Sequence, residues 1–428
     1  MPLKLKLTFE RKQLDNGLVM LVSENHKVPL VSLHAYILAG QDQNPPDKPG
    51  LAAFTARMLD EGTENYDYSE LAELIEGAGG ALGIFSQREL SGISLQLKTE
   101  DLELGFELLA EMLCRPLFPV DRLQLEKEKV LNHLRSMQDD PQTVAGNLFN
   151  RLIYRETPLQ YPSLGLPESV GQLSATDLRA FYSRRYSPAS TLIVLAGDVS
   201  AEQARRCVQS RLGSWRAAPD YEHAVLPEIK KQHAPLFETT IVDKEQVHIL
   251  VGHLGVKRTN SDFPVLQVLD VILGSGPGFT SRIPRRLRDE QGLAYTTYSD
   301  ISGSSGIYPG RFAAYICTSP ENRDTALKGL LDEIRGLVEH GITQQELETA
   351  QDYLTGSFVF DVQSNSLIAR FLLGVELFDL GPDYLERYPD LIRQVTRQDV
   401  ERVARLYLDT VNYTTVIVGP SYPNSETA

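Results

Sequence analysis

At 428 residues the chain is too long for one ordinary hydrophobic core and suits two domains of about 200 residues each. Apolar residues make up 42% and charged residues 23%, which excludes wholesale disorder. The 57 acidic against 42 basic side chains leave a net charge of −15, which argues against nucleic acid or an anionic membrane as the main partner; simple solubility explains it first, and basic peptides second.

The chain opens with MPLKLKLTFERKQLDNG, which has neither a signal-peptide apolar core nor a small-residue cleavage site. No uninterrupted apolar run is long enough to cross a bilayer, so no membrane span is expected. Cys114, Cys207 and Cys317 are few, odd in number and outside any paired-ligand spacing, which points to buried thiols in a reducing compartment. The expected address is the cytoplasm, or the periplasm if a leader was removed.

Alternating strands (LVMLVSE, LVSLHAYILAG) precede a helix, LAAFTARMLDEG. A strand pair around GIFSQRELSGISLQLKT follows, then the helices LELGFELLAEMLCRPLF and VDRLQLEKEKVLNHLRSMQ. The helix ATDLRAFYSRRY and the strand STLIVLAGDVS close the first half. The second half repeats that order. VHILVGHLGV opens it, FPVLQVLDVILG is its helix, and AYTTYSDISG and GRFAAYICTS pair. Two helices come next, and RQDVERVARLY with YTTVIVGP ends it. Strand pairs with helices grouped between them predict α+β: two homologous domains, each an antiparallel-rich mixed β-sheet with helices packed on it. The Pro- and charge-rich stretch 216–235 reads as a linker, dividing the chain into domains 1–215 and 236–428. The tail PSYPNSETA is expected to fray.

The segment PGLAAFTARMLDEGT, residues 49–63, is similar to the stretch of insulinase/pitrilysin-type and mitochondrial-processing-type peptidases that carries their inverted zinc motif, His-x-x-Glu-His. Its three chemical positions hold Ala53, Ala56 and Arg57. Two imidazoles four apart face one side of a helix and share a zinc ion, while the glutamate deprotonates the metal-bound water. Alanine supplies neither lone pair nor base, and arginine is a permanent cation. Counting on at the family's spacing to its third ligand, a glutamate, lands on His133, which reads as a surface or packing histidine. Arg57 has Glu61 within reach one turn on. His248 and His253, five apart on a strand, lie on opposite faces. The chain is therefore expected to bind no cofactor, with zinc carried by a partner.

LGSGPGFTSRIPRRLRDEQGLAYTTY, residues 273–298, resembles the family's second-domain stretch, a glycine-bearing loop (Gly274, Gly276, Gly278), a helix and Gly-Leu-x-Tyr. The resemblance implies that Arg288 and Tyr295 hold substrate beside zinc bound on another domain, where a guanidinium and a phenol stabilise a developing oxyanion. The glycine loop lacks the Gly-Lys-Ser/Thr ending of a phosphate loop, and the family implies a gate instead. One further departure is Gly83-Ile84 on the family's peptide-binding edge strand, where active members carry Asn-Ala. These features imply a non-catalytic subunit of a heterodimeric zinc peptidase. Its partners would be a homologous chain with an intact His-x-x-Glu-His motif and a peptide or unfolded polypeptide. The alternative is a scaffold or peptide-binding protein of the same fold, as in the core proteins of the respiratory cytochrome complex.

Overall fold

The computed structural model describes residues 6–223, 228–277 and 280–421. The chain forms two compact units, and each collects pieces from both halves of the sequence. The first comprises Met1–Leu134, Thr157–Pro227 and Val359–Glu386; the second comprises Arg135–Glu156, Glu228–Phe358 and Arg387–Ala428. Residues 216–223 and 228–235 form neither helix nor strand, and the rest of the linker segment, like residues 422–428 of the tail, lies outside the described residues.

The first unit holds a six-stranded sheet of β1 (Glu10–Gln13), β2 (Val19–Glu24), β3 (Leu30–Ile37), β4 (Ala81–Ser86), β5 (Ser91–Lys98) and β6 (Thr191–Gly197), in the order β1-β2-β6-β3-β5-β4. The second unit holds β7 (Leu236–Ile241), β8 (Val247–Leu254), β9 (Thr296–Asp300), β10 (Arg311–Thr318) and β11 (Thr414–Gly419), in the order β7-β11-β8-β10-β9. From β2 to β4 and from β7 to β9 the pairing senses coincide: one parallel pair, then three antiparallel pairs. The fold is α+β with two mixed sheets, and the internal duplication is carried in its topology.

Burial explains why these strands form. In β3 the residues Leu33, Ala35 and Ile37 are buried on one face, while His34 and Tyr36 are buried on the other. A strand buried on both faces needs a helix on each side. In the first unit one cover is the helix Asn365–Leu377, whose Ile368, Ala369 and Leu372 pack on Tyr36, Val194 and Ala196. In the second unit the helix Pro141–Ile153 covers β8 and β11. Its start is fixed by Asp140, which accepts hydrogen bonds from the Gln142 and Thr143 amides, and by proline at the first helical position. Among the described residues no single helix is long and apolar enough to cross a membrane.

Candidate functional site

The helix carrying Ala53, Ala56 and Arg57 spans only Leu51–Arg57. Gly50 opens it at φ +94, and a Cβ there would lie 2.6 Å from the Leu164 carbonyl oxygen, so only glycine fits. The Asn44 side chain accepts the Ala52 amide at 2.7 Å. Leu51, Phe54, Met58 and Leu59 are buried, which anchors the helix by one apolar stripe. Ala53 and Ala56 are buried methyl groups within it.

Arg57 does not pair with Glu61. Its Nη2 and Nε reach one carboxylate oxygen of Glu126 at 2.8 and 3.1 Å, and Lys129 bonds the other oxygen. Glu126 sits on the helix Val120–Gln138 and its side chain is only 5% exposed. Burial alone would raise its pKa, but hydrogen bonds from Lys129 and Arg57 hold it below the ordinary carboxylate value. Glu61 pairs with Arg122, whose guanidinium lies 4.1 Å from the centre of the Tyr68 ring. Asp60 is pushed up to about 6, first by burial and then by the Glu61 charge.

His133, reached by counting, is exposed and lies seven residues beyond Glu126 on the same helix. The carboxylate facing Arg57 is Glu126. A signal for it was present in the sequence: Leu123, Val130 and Leu134 form the helix's buried stripe, and Glu126 falls on that stripe at helical spacing. His248 and His253 do lie on opposite faces of β8. His248 Nδ1 is 2.8 Å from the Tyr315 hydroxyl, and His253 Nε2 accepts the Asp409 amide at 3.0 Å. The three cysteines are free thiols; burial pushes Cys114 and Cys207 up to about 12.

In the second unit, Arg288 lies in a π-helical segment, Pro284–Glu290, and hydrogen-bonds the neighbouring Asp289 at 2.8 Å. That bond raises the guanidinium's pKa. Gly292, at φ +64, ends the segment, its amide bonding the Arg288 carbonyl at 3.1 Å. The chain then enters β9 through Tyr295, a residue 84% exposed whose amide bonds the Cys317 carbonyl at 3.2 Å. A Cβ on Gly274 would fall 2.3 Å from the Ser299 amide nitrogen, and one on Gly276 would fall 2.7 Å from the Val271 carbonyl oxygen. Both glycines therefore let the loop's base press against its neighbours. Gly278 lies outside the described residues.

Comparison with known proteins decides the family. The profile described as insulinase (peptidase family M16) matches residues 19–166, and the one described as peptidase M16 inactive domain matches residues 172–354. The chain belongs to peptidase family M16. An uncharacterized zinc protease of Mycobacterium leprae is 26% identical over 96% of this chain and 91% of its own length. A non-peptidase homolog of Helicobacter pylori is 26% identical over 90% of this chain and 87% of its own. The crystal structure of a peptidase M16 inactive domain from Pseudomonas fluorescens superposes with a TM-score of 0.90 at 25% identity, covering 98% of this chain and all of that one.

Zinc chemistry does not fit this M16 chain. The two imidazole positions hold a buried methyl group and a guanidinium, and the base position holds a second buried methyl. Glu126, the carboxylate that faces this helix's end, is neutralised by Arg57 and Lys129. Among the described residues no three His, Cys, Asp or Glu side chains converge as a metal-binding group.

Proposed function

We propose that this chain is the non-catalytic half of a zinc peptidase assembly. A homologous partner with an intact His-x-x-Glu-His motif would hold the zinc ion and activate water. This chain would supply Arg288 and Tyr295 to bind the peptide and stabilise the oxyanion formed when water adds to its carbonyl.

The supporting observation is the uneven state of the two sites. The zinc position is closed by the Arg57–Glu126 ion pair, whereas Tyr295 is 84% exposed and the Arg288 side chain is partly exposed. A phenol left in water without an apolar setting is poorly explained by packing. Both groups reach solvent, where a peptide can meet them, and one well-placed donor contributes about 2.7–4 kcal/mol to the transition state. Arg288→Ala in the assembled complex should therefore lower hydrolysis about a hundredfold or more while leaving assembly intact. Unchanged turnover would remove that role.

The naming of the Helicobacter relative as a non-peptidase homolog favours a second reading, a scaffold or peptide-binding protein without part in proteolysis. Under it, Arg288→Ala alters no hydrolysis, because the isolated assembly performs none.

A further inference from the structure

The helix Pro141–Ile153 covers β8 and β11, and beside it the second unit holds a cavity of about 470 Å³. Leu250 of β8, Tyr298 and Asp300 of β9, and Arg311 and Tyr315 of β10 line it from the sheet. The internal duplication shows how such a face looks when it serves packing alone. In the first unit β3, β5 and β4 stand where β8, β10 and β9 stand here. There Tyr36, Leu90 and Phe85 close the corresponding face, packed in one apolar cluster with the covering helix. In the second unit that face stays open and carries charge.

The two charges that β9 and β10 place there have only neutral partners. Arg311 donates to the Asn150 side-chain oxygen and lies 5.8 Å from the centre of the Phe149 ring. Asp300 accepts the Gly303 amide at 2.7 Å. Among the described residues neither stands in an ion pair. Asp300 sits directly across from Ala313, and Arg311 is two residues along β10 on the same face. Diagonal neighbours of this kind are about 7–8 Å apart at the backbone. The third charged group on the cavity, Asp140, is engaged as the helix cap by the Gln142 and Thr143 amides and the Thr143 hydroxyl. Tyr298 adds an aromatic surface, its ring stacked on that of buried Tyr315 with centroids 5.0 Å apart.

We infer that this cavity binds a small zwitterion of the amino-acid class. Its carboxylate meets Arg311, its ammonium meets Asp300, and an apolar or aromatic side chain lies against Tyr298. A lone anion would face two carboxylates, and a lone cation would face the guanidinium; a ligand carrying both charges satisfies both groups. The site does not depend on the peptidase role.

The test is calorimetric titration of the full chain with L-phenylalanine and, separately, with phenethylamine and 3-phenylpropionate, which keep the ring and one charge each. Saturable one-to-one binding of L-phenylalanine is expected, with each single-charge analogue roughly tenfold weaker or more, as for a lost charged hydrogen bond. Arg311→Gln should erase the advantage over phenethylamine, and Asp300→Asn the advantage over 3-phenylpropionate. Gly146→Leu decides alone if those variants fail to fold. Gly146 lines the cavity from the helix, a Cβ there meets nothing within 4 Å, and leucine favours a helix over glycine. The fold should therefore stand while the added side chain occupies the cavity and abolishes binding. No saturable binding of L-phenylalanine up to about 20 mM, a concentration that reveals even a weak millimolar site, overturns the inference. So does a single-charge analogue that binds as tightly as L-phenylalanine, or binding that folded Gly146→Leu leaves unchanged.

Discussion

Replacing Arg57 by alanine should destabilise the first unit, by an amount set by how Glu126 is buried. Breaking a fully buried ion pair from one side costs about 3–5 kcal/mol, because the other charge is left unpaired. Here the Glu126 side chain is 5% exposed but Arg57 is 40% exposed, and Lys129 stays on the second carboxylate oxygen. Solvent screening and the surviving partner reduce the expected loss to about 1–2 kcal/mol. The assay is urea unfolding followed by fluorescence of Trp215, which is the chain's single tryptophan, buried in the first unit, and so reports that unit alone. Glu126 has a folded pKa below its ordinary value of 4.5. Its contribution is therefore fully present above that value and is lost as pH falls through the folded pKa, so the gap between wild type and variant should close in that acid range. The double substitution R57M/E126L should recover most of the loss, since apolar replacement of both members of a buried pair is often neutral. An Arg57→Ala variant as stable as wild type at neutral pH would refute the view that this pair closes the former zinc position.

Three further outcomes are expected on the same grounds. Glu346, held down to about 2 against burial by Arg282 and the Thr343 amide, should cost the second unit about 3 kcal/mol when changed to glutamine. Its contribution should persist down to about pH 4 and vanish toward pH 2, as followed by thermal melts across that range. Gly50→Ala should cost at least about 1–3 kcal/mol, because φ +94 and the Leu164 carbonyl both exclude a side chain, and a tryptophan-detected melt will measure it. Chelator should leave the melting temperature unchanged within about 1 °C, since a ligand that does not bind cannot stabilise.

Much of the architecture was legible because periodicity reports burial. The strands β2 to β6 and β8 to β11 and the long helix Val120–Gln138 follow directly from their apolar spacing, whereas β1 and β7, which bury none of their residues, were not foreseen. The helices Pro141–Ile153 and Asn365–Leu377 were not foreseen, and they are the ones that join the unit built mainly from the other half of the sequence. Period shows that a helix has an apolar face, but not which sheet that face meets. The first-site helix ends at Arg57, sooner than the run to Gly62 suggested, because Met58 leaves helical geometry and Gly62 takes φ +150. At the site, the absence of zinc ligands at Ala53, Ala56 and Arg57 was plain in the letters. The pairing was not: counting led to His133 and local reach to Glu61, whereas packing selects Glu126 from an adjacent helix. Arg288 and Tyr295 came from the family resemblance, and their exposure came only from the fold.

The most direct test of the accessory role is purification of the chain from its native source, with mass-spectrometric identification of anything that co-elutes in stoichiometric amount and a peptide-hydrolysis assay on the complex. The account predicts a homologous companion with an intact His-x-x-Glu-His motif and hydrolysis that chelator abolishes and Arg288→Ala sharply lowers. A chain that elutes alone, or within an assembly that neither binds zinc nor cleaves peptides, would contradict it.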